Sequence, residues 1–354
     1  MARLTGLIGA LLLAAVPIAA AAQTPAAPAC ASPEQAVDEG GFVRIGGIEQ
    51  WITIKGERCG NPVILFLHGG PGNPLSPYAD VIYGPWAGEF TLVQWDQRGA
   101  GRTYGRNPLS EEDALSVEQM TADGIEVARH LTQRLGADKI ILMGGSWGSV
   151  LGVHMVKAEP ELFHAYIGTS QVVSYRDNQA ATYNRLLELT RAAEDEDVAS
   201  RLEAIGSPPW SNPRNFGIVR RAVRKYEALS TDPFPAGWWE PAQSYATPEQ
   251  LADYEAGEEY SFVQYVGMNG DGMFSGVELE ALGTEFSTPV FIVQGAEDLL
   301  TTPEIARHYF ESIRAPEKAF VLVPRAGHDP NQLLVDAQLD VLRRLVKPLV
   351  SVGR

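Results

Sequence analysis

The pattern of apolar and polar residues along the chain predicts an ordered series of strands and helices. Residues 42–45 and 50–54 alternate in polarity around Gly46-Gly47, which predicts an opening β-hairpin. The continuous apolar run at 63–67 is typical of a strand buried on both faces of a sheet. Five later segments of similar length predict further strands, at 91–95, 139–143, 165–168, 289–293 and 320–323.

Helical spacing of apolar residues occurs between these strands, at 117–135, 149–157, 303–313 and 331–349. Alternating strands and helices predict an α/β fold, a mostly parallel central sheet with helices on both faces. Residues 175–286 interrupt the alternation, because they are mostly helical in pattern, charged and rich in aromatic residues. We therefore predict a core formed by residues 41–174 and 287–354. The inserted segment 175–286 is predicted to be a helical cap over the C-terminal edge of the sheet, where ligands bind in such folds.

The first 22 residues have the pattern of a cleaved signal peptide. Arg3 precedes an apolar segment at 4–18, and Ala20-Ala21-Ala22 stands before Gln23 as a small-residue cleavage site. The alternative is an N-terminal membrane anchor, but the apolar segment is short for a spanning helix. The prediction is therefore a periplasmic or secreted protein without a stable membrane anchor once the signal is removed. Residues 23–40 are predicted to be a flexible tail.

Composition narrows the possible partners. The 354 residues are 45% apolar and include 44 acidic against 28 basic side chains, for a net charge of −16. Such a charge repels nucleic acid and anionic membranes, so a small peptide or other small molecule is the expected ligand. The sequence does not indicate the oligomeric state. Export to an oxidising compartment favours a disulfide between Cys30 and Cys59, with two free thiols as the alternative.

The candidate nucleophile lies in Gly144-Gly145-Ser146-Trp147-Gly148, between a predicted strand and a predicted helix. In this context the pattern G-x-S-x-G is typical of a nucleophile elbow, a sharp turn that holds serine clear of the sheet. The alternative is a turn rich in glycine and serine that performs no chemistry. Candidates for an acid and then a base follow Ser146 along the chain, in the order typical of this kind of site, and this order favours the elbow.

A serine nucleophile needs a general base and an acid that orients it. His328 follows the last predicted strand directly and is the predicted base, whereas His154, His164 and His308 fall within predicted helices or a strand. Asp298 follows the preceding strand and is the predicted acid, favoured over Glu297 because it lies one residue further into the loop. The backbone N–H groups of Gly70 and Trp147 are the predicted donors to an oxyanion. No metal or cofactor is predicted.

These segments together resemble the proline iminopeptidase family of α/β-hydrolases: His68-Gly69-Gly70-Pro71-Gly72, Asp96-Gln97-Arg98-Gly99, the Ser146 turn, 295–298 and Gly327-His328. The resemblance implies release of an N-terminal proline from peptides, without a metal. In that family, glutamates of the cap hold the free α-amino group of the substrate. Glu258 and Glu227 are the corresponding candidates here, although the residues around them match the family only loosely.

The motifs and the family resemblance leave three possible functions. The leading prediction is an exported serine hydrolase, an aminopeptidase that releases proline or another small N-terminal residue through an acyl-enzyme on Ser146. The first alternative is an esterase or amidase of the same fold that acts on a non-peptide molecule. The remote alternative is a non-catalytic binding protein, which would be expected to lose a member of the triad. Epoxide hydrolysis and dehalogenation that use an aspartate nucleophile are disfavoured, because the elbow residue is Ser146.

Overall fold

The computed structural model describes residues 29–110 and 112–352. Among these residues one eight-stranded sheet forms the centre of the molecule, in the order β1-β2-β4-β3-β5-β6-β7-β8. Its strands are β1 Val37–Ile45, β2 Ile48–Gly56, β3 Val63–Leu67, β4 Thr91–Trp95, β5 Ile140–Gly145, β6 Phe163–Thr169, β7 Val290–Gly295 and β8 Lys318–Val323.

The first two strands differ from the others in direction. β1 and β2 form an antiparallel hairpin, and β2 is also antiparallel to β4. Gly46 and Gly47, both with positive φ, make the two-residue turn, a conformation that glycine adopts without steric cost. From β4 to β8 all neighbouring strands are parallel, so their C-terminal ends lie along one edge of the sheet. This arrangement confirms the predicted α/β fold.

The helices of the core are α1 Ala79–Ile82, α2 Gly101–Arg106, α3 Val117–Leu135, α4 Trp147–Ala158, α9 Pro303–Ser312, α10 Gln332–Val341 and α11 Lys347–Val352, with a π-helical turn Leu342–Val346 between the last two. Four α-helices lie in the inserted segment: α5 Tyr175–Ala192, α6 Glu196–Ile205, α7 Pro213–Glu227 and α8 Pro248–Val266. Sequence analysis did not predict α1 or α2. It predicted one continuous helix at 331–349, where the structure has α10, the π-helical turn and α11.

The hydrophobic core occupies both faces of the sheet. Successive residues of β3 contribute to opposite sides: Leu65 joins the cluster beneath α3 and α4, and Ile64 and Phe66 join the cluster beneath α10. This two-sided burial explains why β3 is apolar at every position. A third cluster lies between the cap helices, and it includes Leu299 from the loop after β7. The cap therefore packs directly on one of the loops at the C-terminal edge of the sheet.

The segment predicted to be a flexible tail is partly ordered. β1 starts at Val37 and pairs through Asp38 and Gly40 with β2, so residues 37–40 belong to the sheet. The preceding residues are held by a disulfide between Cys30 and Cys59, whose Cα atoms are 6.2 Å apart, and this is the pair that the sequence predicts. The N–H of Cys59 also donates to the carbonyl of Gln35.

The predicted signal peptide, residues 1–22, lies outside the described residues. Within the described ranges, no helix is both long enough and apolar enough to span a bilayer.

Candidate active site

Ser146 stands at the turn between β5 and α4, with φ 52° and ψ −121°. This conformation is rare for residues other than glycine and is typical of a strained functional turn. The backbone N–H of Ser146 donates to the carbonyl of Thr169 at 3.0 Å, which fixes the turn to β6. A Cβ on Gly148 would lie 2.0 Å from the carbonyl oxygen of Leu67, so only glycine allows α4 to approach the end of β3.

The structure brings Ser146, His328 and Asp298 together from three separate loops at the C-terminal edge of the sheet. Oγ of Ser146 lies 3.0 Å from Nε2 of His328. Nδ1 of the same ring lies 3.2 Å from both carboxylate oxygens of Asp298. This is the relation between nucleophile, base and acid that activates a serine.

Asp298 is buried among hydrogen-bond donors. Its Oδ1 accepts from the N–H groups of Leu300 at 2.9 Å and Thr301 at 2.7 Å. Its Oδ2 accepts from the hydroxyl of Thr301 at 2.6 Å and from Nε2 of Gln294 at 2.9 Å. Burial alone would raise the pKa of Asp298, but His328 and these donors outweigh it, and the pKa is lowered. The carboxylate is therefore ionised and oriented toward the imidazole.

Sequence analysis missed Gln294 and Thr301 as parts of this arrangement. Gln294 is fully buried in β7, where it is a polar residue within an apolar run. A buried amide needs hydrogen-bond partners, and this is the signal that the sequence offered. Its Oε1 accepts from the N–H of Gln171, so the amide links Asp298 to the loop after β6.

The pKa of His328 results from two opposing effects. Burial lowers it, whereas the carboxylate of Asp298, and then those of Asp329 and Glu227, raise it. The charges prevail, and the pKa lies above the ordinary value of 6.5. An imidazole with a raised pKa is a stronger base for the Ser146 proton.

Gly70 and Trp147, the predicted oxyanion donors, both belong to segments next to Ser146. Gly70 belongs to the loop after β3 and lines the same cavity as Ser146. Trp147 is the first residue of α4, so its N–H points out of the helix N-terminus. In the part of the chain that the structure describes, neither N–H has a hydrogen-bond partner. Two such donors beside a nucleophile can stabilise a developing negative charge.

His68, Gln97 and Trp147 connect the three glycine-containing motifs. Nε2 of His68 accepts from the N–H of Gln97 at 3.2 Å, and the Gln97 amide donates to the carbonyl of His68 at 3.1 Å. The indole of Trp147 donates to Oε1 of Gln97 at 3.1 Å. Burial lowers the pKa of His68 to about 4, so the ring is neutral and acts structurally. This network holds the Gly70 loop against the Ser146 turn.

Glu227, the last residue of α7, lies beside the triad. Its Oε1 accepts from the N–H of Leu299 at 2.8 Å, and its Oε2 accepts from the N–H of His328 at 3.1 Å. Burial first, and the charge of Asp298 second, raise the pKa of Glu227 to about 7. Both carboxylate oxygens of Glu227 therefore accept hydrogen bonds from the backbone of the two loops that carry Asp298 and His328.

A cavity of about 880 Å³ opens above Ser146, between the core loops and the cap. Glu258 of α8 lines it next to the Gly70 loop, since a Cβ on Gly72 would lie 3.0 Å from the Cα of Glu258. The carboxylate of Glu258 forms no hydrogen bond or ion pair with other described residues. Of the two glutamates predicted to bind the substrate, Glu258 therefore has its carboxylate free and Glu227 does not. No cluster of three or more His, Cys, Asp or Glu side chains suited to a metal occurs within the described ranges.

A mostly parallel sheet, a serine on a strained strand-to-helix turn and a histidine–aspartate pair beside it define a serine hydrolase of the α/β-hydrolase fold. The model of the serine aminopeptidase family, S33, matches residues 61–332, and the chain belongs to this family.

Two relatives from other bacteria match this chain over most of their own length. The chain is 28% identical over 295 residues to the probable aminopeptidase YbaC of Bacillus subtilis (strain 168), which covers 81% of this chain and 89% of the relative. It is 29% identical over 330 residues to the proline iminopeptidase of Neisseria gonorrhoeae, covering 86% and 97% of the two chains. The crystal structure of proline iminopeptidase from Mycobacterium smegmatis superposes with a TM-score of 0.64 at 17% identity, over 89% of this chain and 100% of that one. At this level of identity, the superposition shows that the two proteins share a fold.

Proposed function

We propose that the protein is an exported aminopeptidase that releases proline or another small residue from the N-terminus of short peptides, with Ser146 as nucleophile. The observation that carries the proposal is the continuous contact from Ser146 Oγ to His328 Nε2, at 3.0 Å, and from His328 Nδ1 to Asp298, at 3.2 Å. Membership of the serine aminopeptidase family supports the aminopeptidase assignment.

In the first half of the reaction, Oγ of Ser146 attacks the carbonyl carbon of the first peptide bond. His328 takes the hydroxyl proton on Nε2, and Asp298 stabilises the imidazolium that forms. The carbonyl oxygen becomes an oxyanion that accepts hydrogen bonds from the N–H groups of Gly70 and Trp147. When the intermediate collapses, the C–N bond breaks and the proton passes from His328 to the leaving amine. The shortened peptide departs and the N-terminal residue remains as an ester on Ser146.

In the second half, water replaces the leaving amine. His328 takes a proton from the water as its oxygen attacks the ester carbon, and the same two N–H groups stabilise the second oxyanion. Collapse breaks the bond to Oγ, and His328 returns the proton to Ser146. The products are a free amino acid and the original enzyme, and none of these steps uses a cofactor.

Glu258 is the proposed partner of the substrate's α-ammonium group. It lines the cavity beside the Gly70 loop, and its carboxylate has no partner among the described residues. Tyr78 and Tyr254 lie near enough for the charge of Glu258 to raise their pKa values, although burial is the larger cause. A carboxylate close to these phenols supplies the negative potential that a free amine requires.

Export is part of the proposal. The pattern of residues 1–22 supports it, and so does the Cys30–Cys59 disulfide, because disulfides persist in oxidising compartments. Fractionation of cells that express the full chain should place a processed protein, shorter by about 22 residues on the signal-peptide pattern, outside the cytoplasm. Unprocessed protein in the cytosol would contradict this part of the proposal.

The decisive experiment compares four substrates: a prolyl amide with a free amino end, its N-acylated form, an alanyl amide and a short-chain ester. Fast cleavage of the free prolyl amide alone would support an iminopeptidase. Comparable cleavage of the alanyl amide would support a broader aminopeptidase. Ester cleavage without preference for a free amine would contradict the aminopeptidase proposal and favour an esterase or amidase of the same fold.

A further inference from the structure

Two arginines of the cap face the candidate active site. Arg220 and Arg224 stand one turn apart on α7, and both line the cavity of about 880 Å³ above Ser146. Arg220 is half-buried, and it also lines a smaller cavity that reaches Ser146 and Gly70. Arg220 therefore borders both cavities, and Ser146 lines both of them as well.

The positive charge of Arg220 has no counter-ion in the described part of the chain. Neither Arg220 nor Arg224 forms an ion pair or a side-chain hydrogen bond there. The phenol of Tyr265 lies within electrostatic reach of Arg220, but burial raises the pKa of Tyr265 and keeps it neutral. Glu227, on the same helix, directs its oxygens to the N–H groups of Leu299 and His328. A half-buried guanidinium without a partner is suited to bind an anion that arrives with the substrate.

The smaller cavity is suited to an apolar side chain rather than to that anion. Its volume is about 70 Å³, and aromatic rings form much of its wall, including Trp210, Phe216, Tyr265 and Phe274. The apolar side-chain carbons of an N-terminal residue such as proline fit this environment, whereas a buried carboxylate would be costly. The anion should therefore lie at the mouth of the small cavity, on the leaving side of the scissile bond.

We propose that Arg220, assisted by Arg224, binds the C-terminal carboxylate of the substrate, so that the preferred substrates are dipeptides. This inference rests on the proposed aminopeptidase function. In a dipeptide, the carboxylate lies one residue beyond the scissile bond, roughly 3.8 Å along the chain. Each further residue moves it by a similar distance and away from Arg220. Recognition of both ends also explains the mixture of charges in the cavity. A dipeptide is a zwitterion, and the lining includes the carboxylate of Glu258 and the guanidinium groups of Arg220 and Arg224, none of which has a partner among the described residues.

The test compares prolylglycine with prolylglycinamide, which differ only in the terminal carboxylate, and uses prolyl anilide as a substrate that lacks this group. An alanyl series is measured in parallel. The wild-type enzyme should cleave the free dipeptide with a kcat/KM about 10- to 100-fold above that of the amide, the range of a charge-assisted hydrogen bond. Arg220→Met should abolish this preference and leave cleavage of the anilide unchanged. Arg220→Lys, which keeps the charge, should retain part of it.

Arg221→Met is the matched control, since Arg221 is an exposed arginine of the same helix that lines neither cavity. It should keep the full preference for the free dipeptide. Equal rates for dipeptide and amide in the wild type would overturn the inference while leaving the aminopeptidase proposal intact. So would an equal loss on all substrates in Arg220→Met. Cleavage of esters but of no substrate with a free amine would overturn the proposed function, and this inference with it.

Discussion

The carboxylate of Glu227 accepts a hydrogen bond from the backbone N–H of His328, at 3.1 Å. Its other oxygen accepts from the N–H of Leu299, the residue after Asp298, at 2.8 Å. One side chain at the end of a cap helix thus connects the two loops that carry the proposed base and acid. A Cβ on Gly327 would lie 2.6 Å from the same carboxylate, so the His328 loop fits closely around it. Glu227 is therefore expected to position His328 and Asp298.

Glu227→Gln and Glu258→Gln should have different kinetic effects. Glutamine at position 227 replaces one acceptor oxygen with an NH2 group that would face a backbone N–H, so the loops should shift. We expect kcat to fall about 10- to 100-fold on amides and esters alike. Glu258→Gln should instead raise KM for substrates with a free amine and leave ester hydrolysis unchanged. The measurement is kcat and KM on a free prolyl amide and a short-chain ester.

The converse result would reverse the two assignments. If Glu227→Gln affected only free-amine substrates, Glu227 would be a binding residue, as the family resemblance implies. If Glu258→Gln reduced both activities equally, Glu258 would have a structural role.

The free energy of unfolding should depend on pH through Glu227. Burial, followed by the charge of Asp298, raises the pKa of Glu227 from 4.5 to about 7. The folded protein then holds this proton more tightly than the unfolded chain does. The stabilisation is complete below about pH 4.5 and is lost as pH rises through about 7. Urea unfolding between pH 4.5 and 8 should show wild type losing stability relative to Glu227→Gln. A difference between the two proteins that is constant with pH would contradict the raised pKa.

Asp298→Asn should change both the rate and its pH profile. The wild-type kcat/KM is expected to fall as pH drops through a value above 6.5, because protonated His328 cannot accept the Ser146 proton. The Asp298 carboxylate raises the pKa of His328, so its removal should shift this acid limb to lower pH. Loss of the charge and of the orienting contact should reduce kcat by about 10⁴-fold. Steady-state kinetics from pH 5 to 9 tests this, and an acid limb that does not shift would contradict it.

Ser146→Ala should abolish turnover without unfolding the protein. The hydroxyl supplies the attacking oxygen, so we expect a loss of about 10⁴-fold or more in kcat on every substrate. A fluorophosphonate reagent should label the wild type and fail to label the variant, while circular dichroism and thermal unfolding stay the same. Ser200→Ala is the control, since Ser200 is exposed on α6 and, among the described residues, its hydroxyl donates only to the carbonyl of Asp197. Retained activity in Ser146→Ala would exclude Ser146 as the nucleophile.

The Cys30–Cys59 disulfide should be detectable by mass and should stabilise the fold. A thiol reagent added in denaturant should label the protein only after reduction, because the described residues contain no free cysteine. Replacing both cysteines with serine should lower the free energy of unfolding by about 2–4 kcal/mol, since the bridge closes a loop between residues 29 positions apart. Labelling of unreduced protein would contradict the bridge.

Local patterns in the sequence were sufficient to predict the sheet and the proposed triad. Strand and helix periodicity depend on neighbouring residues, and parallel strands place their C-terminal ends on one edge. Ser146, Asp298 and His328 could therefore be predicted from the strands that they follow, before any distance was known. The hairpin and the nucleophile elbow could be predicted because each depends on residue types at short spacing. The disulfide could be predicted because the chain has only two cysteines to pair.

Only the tertiary structure decided which residues of the cap meet the candidate active site. Glu227 lies 71 positions before Asp298 and 101 before His328 along the chain, and no periodicity indicates that its carboxylate meets the backbone of both loops. The contacts of Gln294 with Asp298 and the position of Arg220 beside two cavities likewise result from how distant segments pack. The sequence does not indicate that the N–H groups of Leu299 and His328 donate to Glu227, since every residue except proline carries such a donor. An unpaired charge is recognisable only once its possible partners have been placed. The residues of the proposed triad could therefore be predicted from the chain, whereas the contacts between the cap and the loops around them required the fold.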